Sequence, residues 1–148
     1  MARLNEIEGK KIALDTVIFI YALEGNKEFG ELAKSCLEAI EQGKCRGFAS
    51  DLVLAELMVK PLREGKQEIA AEYAEELPSF PNLSFSSPTR STIITAAKLR
   101  ANASLKLIDA LHLATAIEQK CQIFITNDTR LKHSIPNLNI WLLSEMEL

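Results

Sequence analysis

Four acidic side chains of this chain lie inside or at the end of apolar runs, where a lone charge is most costly. They are Asp15, Glu56, Asp109 and Asp128. A buried carboxylate is normally paired, protonated or bound to a metal, because leaving it unpaired costs several kcal/mol. Few basic residues are candidate partners for these four acids, so we expect the acids to share a cation. Mg²⁺ and Mn²⁺ prefer oxygen ligands, and metals held in this way support phosphodiester chemistry.

Alternating strands and helices must position these acids. We predict strands at residues 11–15, 45–49, 83–85, 122–126 and 139–143, and helices at residues 17–23, 29–40, 52–59, 68–77, 88–101 and 107–118. This alternation indicates an α/β fold with a parallel sheet that is covered on both faces. Helix 107–118 is apolar nearly all round, which indicates that it is buried.

Local signals predict how several helices begin and which side chains they bury. Ser50 or Asp51 can cap helix 52–59, and a cap is the expected role of Asp51. Ser87 is expected to cap helix 88–101, with Pro88 at its first position. In helix 68–77, apolar residues recur at helical spacing, and those expected to face inward are Ile69, Tyr73 and Leu77.

The predicted elements place the four acids near one edge of the sheet. Asp15 ends the first strand and Asp128 follows the fourth, while Glu56 and Asp109 lie about one turn inside helices. In open α/β sheets, ligands bind in a crevice outside the carboxyl ends of the strands. Helices that follow strands begin at that same edge, so the four acids could meet in one cleft.

A length of 148 residues predicts one domain that is large enough for a substantial core. The apolar content of 47% and the charged content of 25% are typical of globular proteins. No apolar run reaches the roughly 18 residues that span a bilayer, and the first residues lack a signal-peptide pattern. We therefore expect a cytoplasmic protein with no membrane association. A net charge of -3 argues against nucleic-acid binding unless metal or a local basic face compensates.

The cysteines and histidines do not suggest another kind of site. Cys36, Cys45 and Cys121 lack metal-ligand spacing and are expected to be reduced core thiols. His112 follows Asp109 by three residues on the same helix, and a packed or hydrogen-bonded histidine is a better explanation than a ligand. Neither His112 nor His133 has an evident nucleophile in its sequence context, so a Ser-His-Asp or Cys-His triad is poorly supported.

Each acid also has an alternative, purely structural explanation. These are a helix cap at Asp15, an ion pair of Glu56 with Lys60, an ion pair of Asp109 with Lys106, and a turn that Asp128 begins with Asn127 and Thr129. Six basic residues flank the acidic segments and could meet phosphates, although solvated surface charge explains each equally well. They are Lys60, Arg63, Lys66, Lys106, Arg130 and Lys132.

Four segments of the chain resemble, in order, the motifs of PIN-domain ribonucleases. Residues 13–23 resemble the opening motif, and residues 49–57, 107–116 and 124–131 resemble the segments that carry the second, third and fourth acidic positions. Each segment alone is weakly specific, whereas four in order on a chain of family length are specific together. The resemblance extends from about residue 11 to residue 143.

The resemblance implies a single PIN domain over residues 1–148. It implies a Rossmann-like three-layer sandwich with a central, mostly parallel five-stranded sheet, and cleavage of RNA that depends on Mg²⁺ or Mn²⁺. Asp15 and Asp109 would bind metal directly, and Glu56 and Asp128 partly through water. Thr126 would orient a carboxylate or contact a phosphate. Many members of this size are VapC-type toxins, often homodimeric and blocked by a cognate antitoxin protein.

Two other functions remain open at this point. A PIN fold could serve mainly in protein association with little hydrolysis, although the presence of all four acids weighs against that. A phosphatase that forms a phosphoaspartate at Asp15 is also compatible with an acid after a strand. However, the segment Asp15-Thr16-Val17 lacks the second aspartate that phosphatases of the haloacid dehalogenase type place two residues on.

Overall fold

Strands and helices alternate along the computed structural model, which describes residues 2–148. The strands are β1 (Ala2–Arg3), β2 (Lys11–Leu14), β3 (Arg46–Ser50), β4 (Leu83–Ser86), β5 (Ile123–Thr126), β6 (Asn139–Leu142) and β7 (Met146–Glu147). The α-helices are α1 (Thr16–Glu24), α2 (Gly30–Glu41), α3 (Leu52–Leu57), α4 (Val59–Arg63), α5 (Gln67–Glu76), α6 (Arg90–Asn102) and α7 (Leu107–Glu118). Four short 3-10 helices lie at Leu4–Ile7, Leu77–Ser79, Thr129–Leu131 and Leu143–Glu145.

The central sheet has five parallel strands in the order β4-β3-β2-β5-β6. From β2 the chain first builds outward through β3 and β4, and then returns to the other side of β2 to build β5 and β6. Residues Leu14 and Ile125 are paired in adjacent strands, so β2 and β5 end side by side. The strand order reverses at this point, which is where a parallel sheet opens a crevice for a ligand.

Two clusters of buried apolar side chains lie on opposite faces of this sheet. Ile12 and Leu14 of β2 pack in one cluster with Phe19 of α1, whereas Ala13 packs in the other with Leu113 of α7. Side chains alternate between the two faces of a strand, so a short apolar strand supplies both clusters. The three-layer α/β architecture with a five-stranded parallel sheet is therefore confirmed.

Most predicted elements are present within a residue or two of their expected bounds, and α7 spans the predicted residues. The predicted helix 52–59 is instead two helices, α3 and α4, that meet at Met58. Pro61 explains the break, because it has no N–H to donate to Leu57 and its ring would clash with that carbonyl group. A small parallel pair, in which Ala2 of β1 lies opposite Met146 of β7, was not predicted.

The start of α6 differs from the prediction. Its cap is Thr89, not Ser87, because the Thr89 hydroxyl accepts a hydrogen bond from the Thr92 backbone N–H at 3.3 Å. The Thr92 hydroxyl accepts in turn from the Thr89 N–H at 3.0 Å, which completes a reciprocal capping arrangement. Ser87 donates instead to Asp51 at 2.5 Å.

Side-chain burial follows most of the sequence pattern, but Ile69 of α5 and Leu107 and Ile117 of α7 are exposed. Ile69, predicted to face inward, is 37% exposed, and Ala70 is the buried residue of that turn.

The three cysteines are buried free thiols, as expected. Burial raises the pKa of Cys36 and that of Cys121 to about 12, so both stay protonated and unreactive at neutral pH. Within residues 2–148, no helix has both the length and the apolar character needed to cross a membrane.

Candidate active site

A cavity of about 280 Å³ opens at the edge where β2 and β5 end. Its walls come from α1, α3, α7 and the segment after β5, and they consist of Asp15, Thr16, Val17, Ile20, Tyr21, Glu56, Asp109, Asn127 and Asp128. Size does not distinguish this cavity, since one between His133 and Trp141 is about 500 Å³. Its chemistry does, because all four acids singled out in the sequence line it.

Asp15 lies between the end of β2 and the first turn of α1. Its extended backbone makes it the cap of that helix, and Oδ1 accepts a hydrogen bond from the Thr16 N–H at 2.8 Å. Oδ2 accepts from the Thr126 hydroxyl at 2.7 Å. Burial raises the pKa of Asp15, although these hydrogen bonds and the nearby His112 oppose the rise. The cap expected as an alternative is therefore real, but it uses only one of two oxygens.

Thr126, the last residue of β5, is fully buried beside this carboxylate. Its hydroxyl donates to Asp15 and accepts a hydrogen bond from the backbone N–H of Asp128 at 3.1 Å. One hydroxyl therefore joins the end of β2 to the segment after β5. That contact couples the positions of two acids that are far apart in sequence.

Glu56 reaches the cavity from the end of α3. Its Oε1 accepts a hydrogen bond from the Thr16 hydroxyl at 2.5 Å and another from Nε2 of His112 at 2.8 Å. Burial alone would raise the pKa of Glu56, but these hydrogen bonds and the charge of His112 outweigh it, so the pKa is lowered. The ion pair with Lys60 was a wrong alternative, because Lys60 lies 2.8 Å from Glu24 instead.

Asp109, in the first turn of α7, has no hydrogen-bond or ion-pair partner among the residues that the structure describes. The alternative pairing with Lys106 is therefore not observed. Partial burial raises the pKa of Asp109, and the negative charges of Asp15 and Asp128 raise it further. This acid combines unshared oxygens with like-charged neighbours, which is the environment that a cation relieves.

Asp128 is held by a neighbour in the chain. Its Oδ1 accepts from the backbone N–H of Arg130 and caps the 3-10 helix Thr129–Leu131, so the turn expected as an alternative is present. The Arg130 guanidinium also donates to both carboxylate oxygens, and its hydrogen bond lowers the pKa of Asp128. Lys106 adds a smaller lowering effect on the pKa, which places a second cation near this acid.

The donor set fits a hard divalent cation bound in an open site. Within residues 2–148, no three carboxylate, imidazole or thiolate groups are close enough to form a ready-made metal cage. Mg²⁺ does not need such a cage, because it keeps several waters and binds through one or two carboxylates. Asp109 offers both oxygens, and Oε2 of Glu56 makes no hydrogen bond within the described part of the chain.

Sequence reasoning underestimated three residues that organise this cavity. His112 was expected to be packed or hydrogen-bonded, which is confirmed, but its partner Glu56 lies on another helix. Thr16 carried no signal beyond its place after Asp15. Arg130 was one of six basic candidates, and its two-residue spacing from Asp128 was the only available signal. Three of the others are occupied elsewhere, since Lys60, Lys66 and Lys132 form ion pairs with Glu24, Glu64 and Glu145.

Residues 12–134 match the model of the PIN domain family. A search of curated proteins found no significant match. Among solved structures, a complex of VapBC2 from Rickettsia felis bound to a promoter DNA fragment is similar, with a TM-score of 0.70 and 21% identity over 89% of this chain and 98% of that one.

Two further solved structures show the same fold. A toxin–antitoxin complex from Klebsiella pneumoniae has a TM-score of 0.66 and 23% identity, covering 89% of this chain and 97% of that one. VapC20 from Mycobacterium tuberculosis is described as a toxin that cleaves the sarcin–ricin loop. It has a TM-score of 0.61 and 17% identity, covering 76% of this chain and 86% of that one. At these identities the likeness concerns the fold alone.

Proposed function

This chain belongs to the PIN domain family, and on that premise we propose that it is a metal-dependent endoribonuclease. The observation that carries the proposal is the convergence of Asp15, Glu56, Asp109 and Asp128 on one cavity. These acids come from four separate segments of the chain, and only the fold brings them together. The proposal takes residues 1–148 as one PIN domain that acts in the cytoplasm.

Asp15 and Asp109 would hold the cation directly, and Glu56 and Asp128 would act partly through water. Mg²⁺ or Mn²⁺ suits these oxygen donors. A bound cation of this kind supplies a water of lowered pKa and neutralises charge on the scissile phosphate. It would also relieve the repulsion from Asp15 and Asp128, which adds to the effect of burial in raising the pKa of Asp109.

Other residues of the cavity would prepare the acids and receive the substrate. The Thr126 hydroxyl holds Oδ2 of Asp15, and the Thr16 N–H holds Oδ1. Arg130 and Lys106 are the cations near Asp128, so we assign them to the RNA backbone. The net charge of the chain is -3, so the protein as a whole does not attract RNA. Affinity for RNA would then depend on the few cations at this cavity.

We further propose that the chain is the toxin of a toxin–antitoxin pair, forms a homodimer and is blocked by a cognate antitoxin protein. Support comes from the similar structures, which are described as VapBC or toxin–antitoxin complexes. Ile93 and Ile94, neighbours on α6, are 55% and 50% exposed and provide apolar surface for a partner. Light scattering of the purified protein tests the dimer. Loss of cleavage on adding the protein encoded by the adjacent gene tests the antitoxin.

The nuclease is tested by incubating the purified protein with a mixed RNA pool, with Mn²⁺, with Mg²⁺ and with EDTA. Asp15→Asn is the inactive variant, and Asp51→Asn is the matched control. Asp51 is the one aspartate of the four that does not line the cavity, and its hydrogen bond with Ser87 can survive in the amide. We expect metal-dependent fragments from the wild type and the control, and none from Asp15→Asn.

The other outcomes separate the competing functions. Metal binding without cleavage of any RNA in the pool would favour either a narrow RNA substrate or the protein-association role. Cleavage that persists in EDTA, or in the Asp15→Asn variant at wild-type rate, would refute the carboxylate–metal site. Covalent capture of phosphate at Asp15 would instead revive the phosphatase alternative.

A further inference from the structure

His112 is a buried histidine, with 2% of its side chain exposed, and it contacts an acid of the cavity. Its Nε2 lies 2.8 Å from Oε1 of Glu56 and 3.3 Å from the hydroxyl of Thr16. That hydroxyl donates to the same Oε1 at 2.5 Å. Side chains from α1, α3 and α7 therefore meet at one carboxylate oxygen.

The two carboxylate oxygens of Glu56 have different hydrogen-bond partners. Oε1 accepts two hydrogen bonds, whereas Oε2 accepts none from residues 2–148. A glutamate side chain that is 37% exposed would otherwise sample several rotamers. Two donors on one oxygen restrict that freedom and leave the second oxygen for a ligand in the cavity.

The other ring nitrogen of His112 shows that packing alone does not explain this residue. Nδ1 is buried and has no hydrogen-bond partner in the described residues. A buried polar atom without a partner is destabilising, and an apolar side chain of similar size would avoid that cost. The benefit of a histidine here must therefore come from its Nε2.

We propose that His112 is a positioning residue, whose Nε2–H holds Oε1 of Glu56 so that Oε2 faces the divalent cation. This inference rests on the proposed function, because it assigns a role in the same metal site. His112 itself does not contact metal or RNA, since its ring is enclosed in the protein. It acts only through the carboxylate that it holds.

Two amide variants separate this role from a general contribution to folding. In His112→Gln the amide nitrogen reaches about the place of Nε2, whereas in His112→Asn it is one methylene too short to reach Glu56. We expect His112→Asn to lose roughly 10- to 100-fold in Mn²⁺ affinity or kcat, the usual effect of losing a residue that orients a metal ligand. His112→Gln should recover most of that loss, and the KM for RNA should not change in either variant.

The measurements are Mn²⁺ titration calorimetry without RNA, cleavage kinetics, and thermal melting to confirm folding. His133→Asn is the matched control, because His133 is exposed and its left-handed backbone, with φ 65°, suits asparagine. A double variant adds a stricter test. In a Glu56→Gln background, His112→Asn should cause little further loss, because the carboxylate to be positioned is already absent.

Several results would overturn the inference. These are a folded His112→Asn variant with wild-type metal affinity and kcat, an equal defect in His112→Gln, or a full additional loss in the Glu56→Gln background. If His112→Asn does not fold, His112→Leu takes its place with the same expectations. A wild-type protein that neither binds Mn²⁺ nor cleaves RNA would refute the proposed function and this inference together, whereas an active wild type confines any failure to His112.

Discussion

The guanidinium of Arg130 donates two hydrogen bonds to the carboxylate of Asp128, from Nε to Oδ1 at 3.0 Å and from Nη2 to Oδ2 at 2.6 Å. Both oxygens of this cavity acid are therefore occupied by a cation of the chain. The Arg130 side chain is 63% exposed, so it can leave without disturbing the core. An arriving metal ion and Arg130 would compete for the same carboxylate, and the displaced guanidinium would be free to meet an RNA phosphate.

Arg130→Ala is expected to have opposite effects on the two ligands. Mn²⁺ should bind roughly two- to tenfold more tightly, because a competing positive charge has been removed. RNA should bind more weakly, with a raised KM, because a cation near the scissile phosphate is lost. Calorimetry with Mn²⁺ and cleavage kinetics measure the two effects. Arg46→Ala, at the opposite end of the sheet, should change neither, and weaker Mn²⁺ binding by Arg130→Ala would contradict the competition.

Asp109→Asn should stabilise the protein in EDTA at pH 7 while abolishing cleavage. Burial and the charges of Asp15 and Asp128 raise the pKa of Asp109, so the folded protein holds this proton more tightly than the unfolded chain. Ionised Asp109 therefore lowers the free energy of unfolding at neutral pH. This destabilisation disappears as the pH falls from above the raised pKa of folded Asp109 to the ordinary aspartate value of 3.8. The gain should be at most about 1 kcal/mol, because solvent screens part of the repulsion.

Urea unfolding at pH 7, 5.5 and 4 measures this difference. Asp128→Asn is a control of opposite sign, because Arg130 lowers the pKa of Asp128. That variant should be less stable than wild type at pH 7, 5.5 and 4, because its deficit shrinks only as the pH falls below the ordinary aspartate pKa of 3.8. A destabilised Asp109→Asn protein would mean that Asp109 has a structural partner.

Divalent metal should stabilise the wild-type protein by mass action. At a free concentration 100 times its Kd, Mn²⁺ would add about 2.7 kcal/mol, which raises the Tm of a protein of this size by several degrees. The Asp15→Asn variant should show little of this shift, and Asp51→Asn should show all of it. Melting curves at constant ionic strength provide the measurement, and equal shifts in all three proteins would exclude binding at the cavity.

Gly47→Ala should destabilise the fold without changing the chemistry of the site. A Cβ at Gly47 of β3 would lie 2.7 Å from Cδ1 of Ile40 and 2.8 Å from Cδ1 of Leu83, both of which are buried. Forcing a methyl group into such a contact costs about 1–3 kcal/mol. Denaturant unfolding measures the loss, and Ser84→Ala, at an exposed site in β4, should stay within about 0.5 kcal/mol of wild type. Undiminished stability of Gly47→Ala would show that the packing at β3 can relax.

Local patterns in the sequence were sufficient for most of the fold. The apolar strands β2 and β5 and the buried helix α7 are visible because periodicity and length depend on neighbouring residues only. The positions of Asp15 and Asp128 at strand ends follow from the same patterns. Predictions failed at the start of α6, where Thr89 and not Ser87 caps the helix, and at Met58, where Pro61 divides the predicted helix in two.

The partners of the acids were decided by the tertiary structure. By sequence spacing, Glu56 would pair with Lys60, whereas in the fold it meets Thr16 and His112, which lie 40 and 56 residues away. Asp15 meets Thr126 across 111 residues, because β2 and β5 end side by side. Sequence determined which residue types stand at the ends of the elements. Sheet order and helix packing determined which side chains come within hydrogen-bonding distance, since those distances depend on contacts between distant segments.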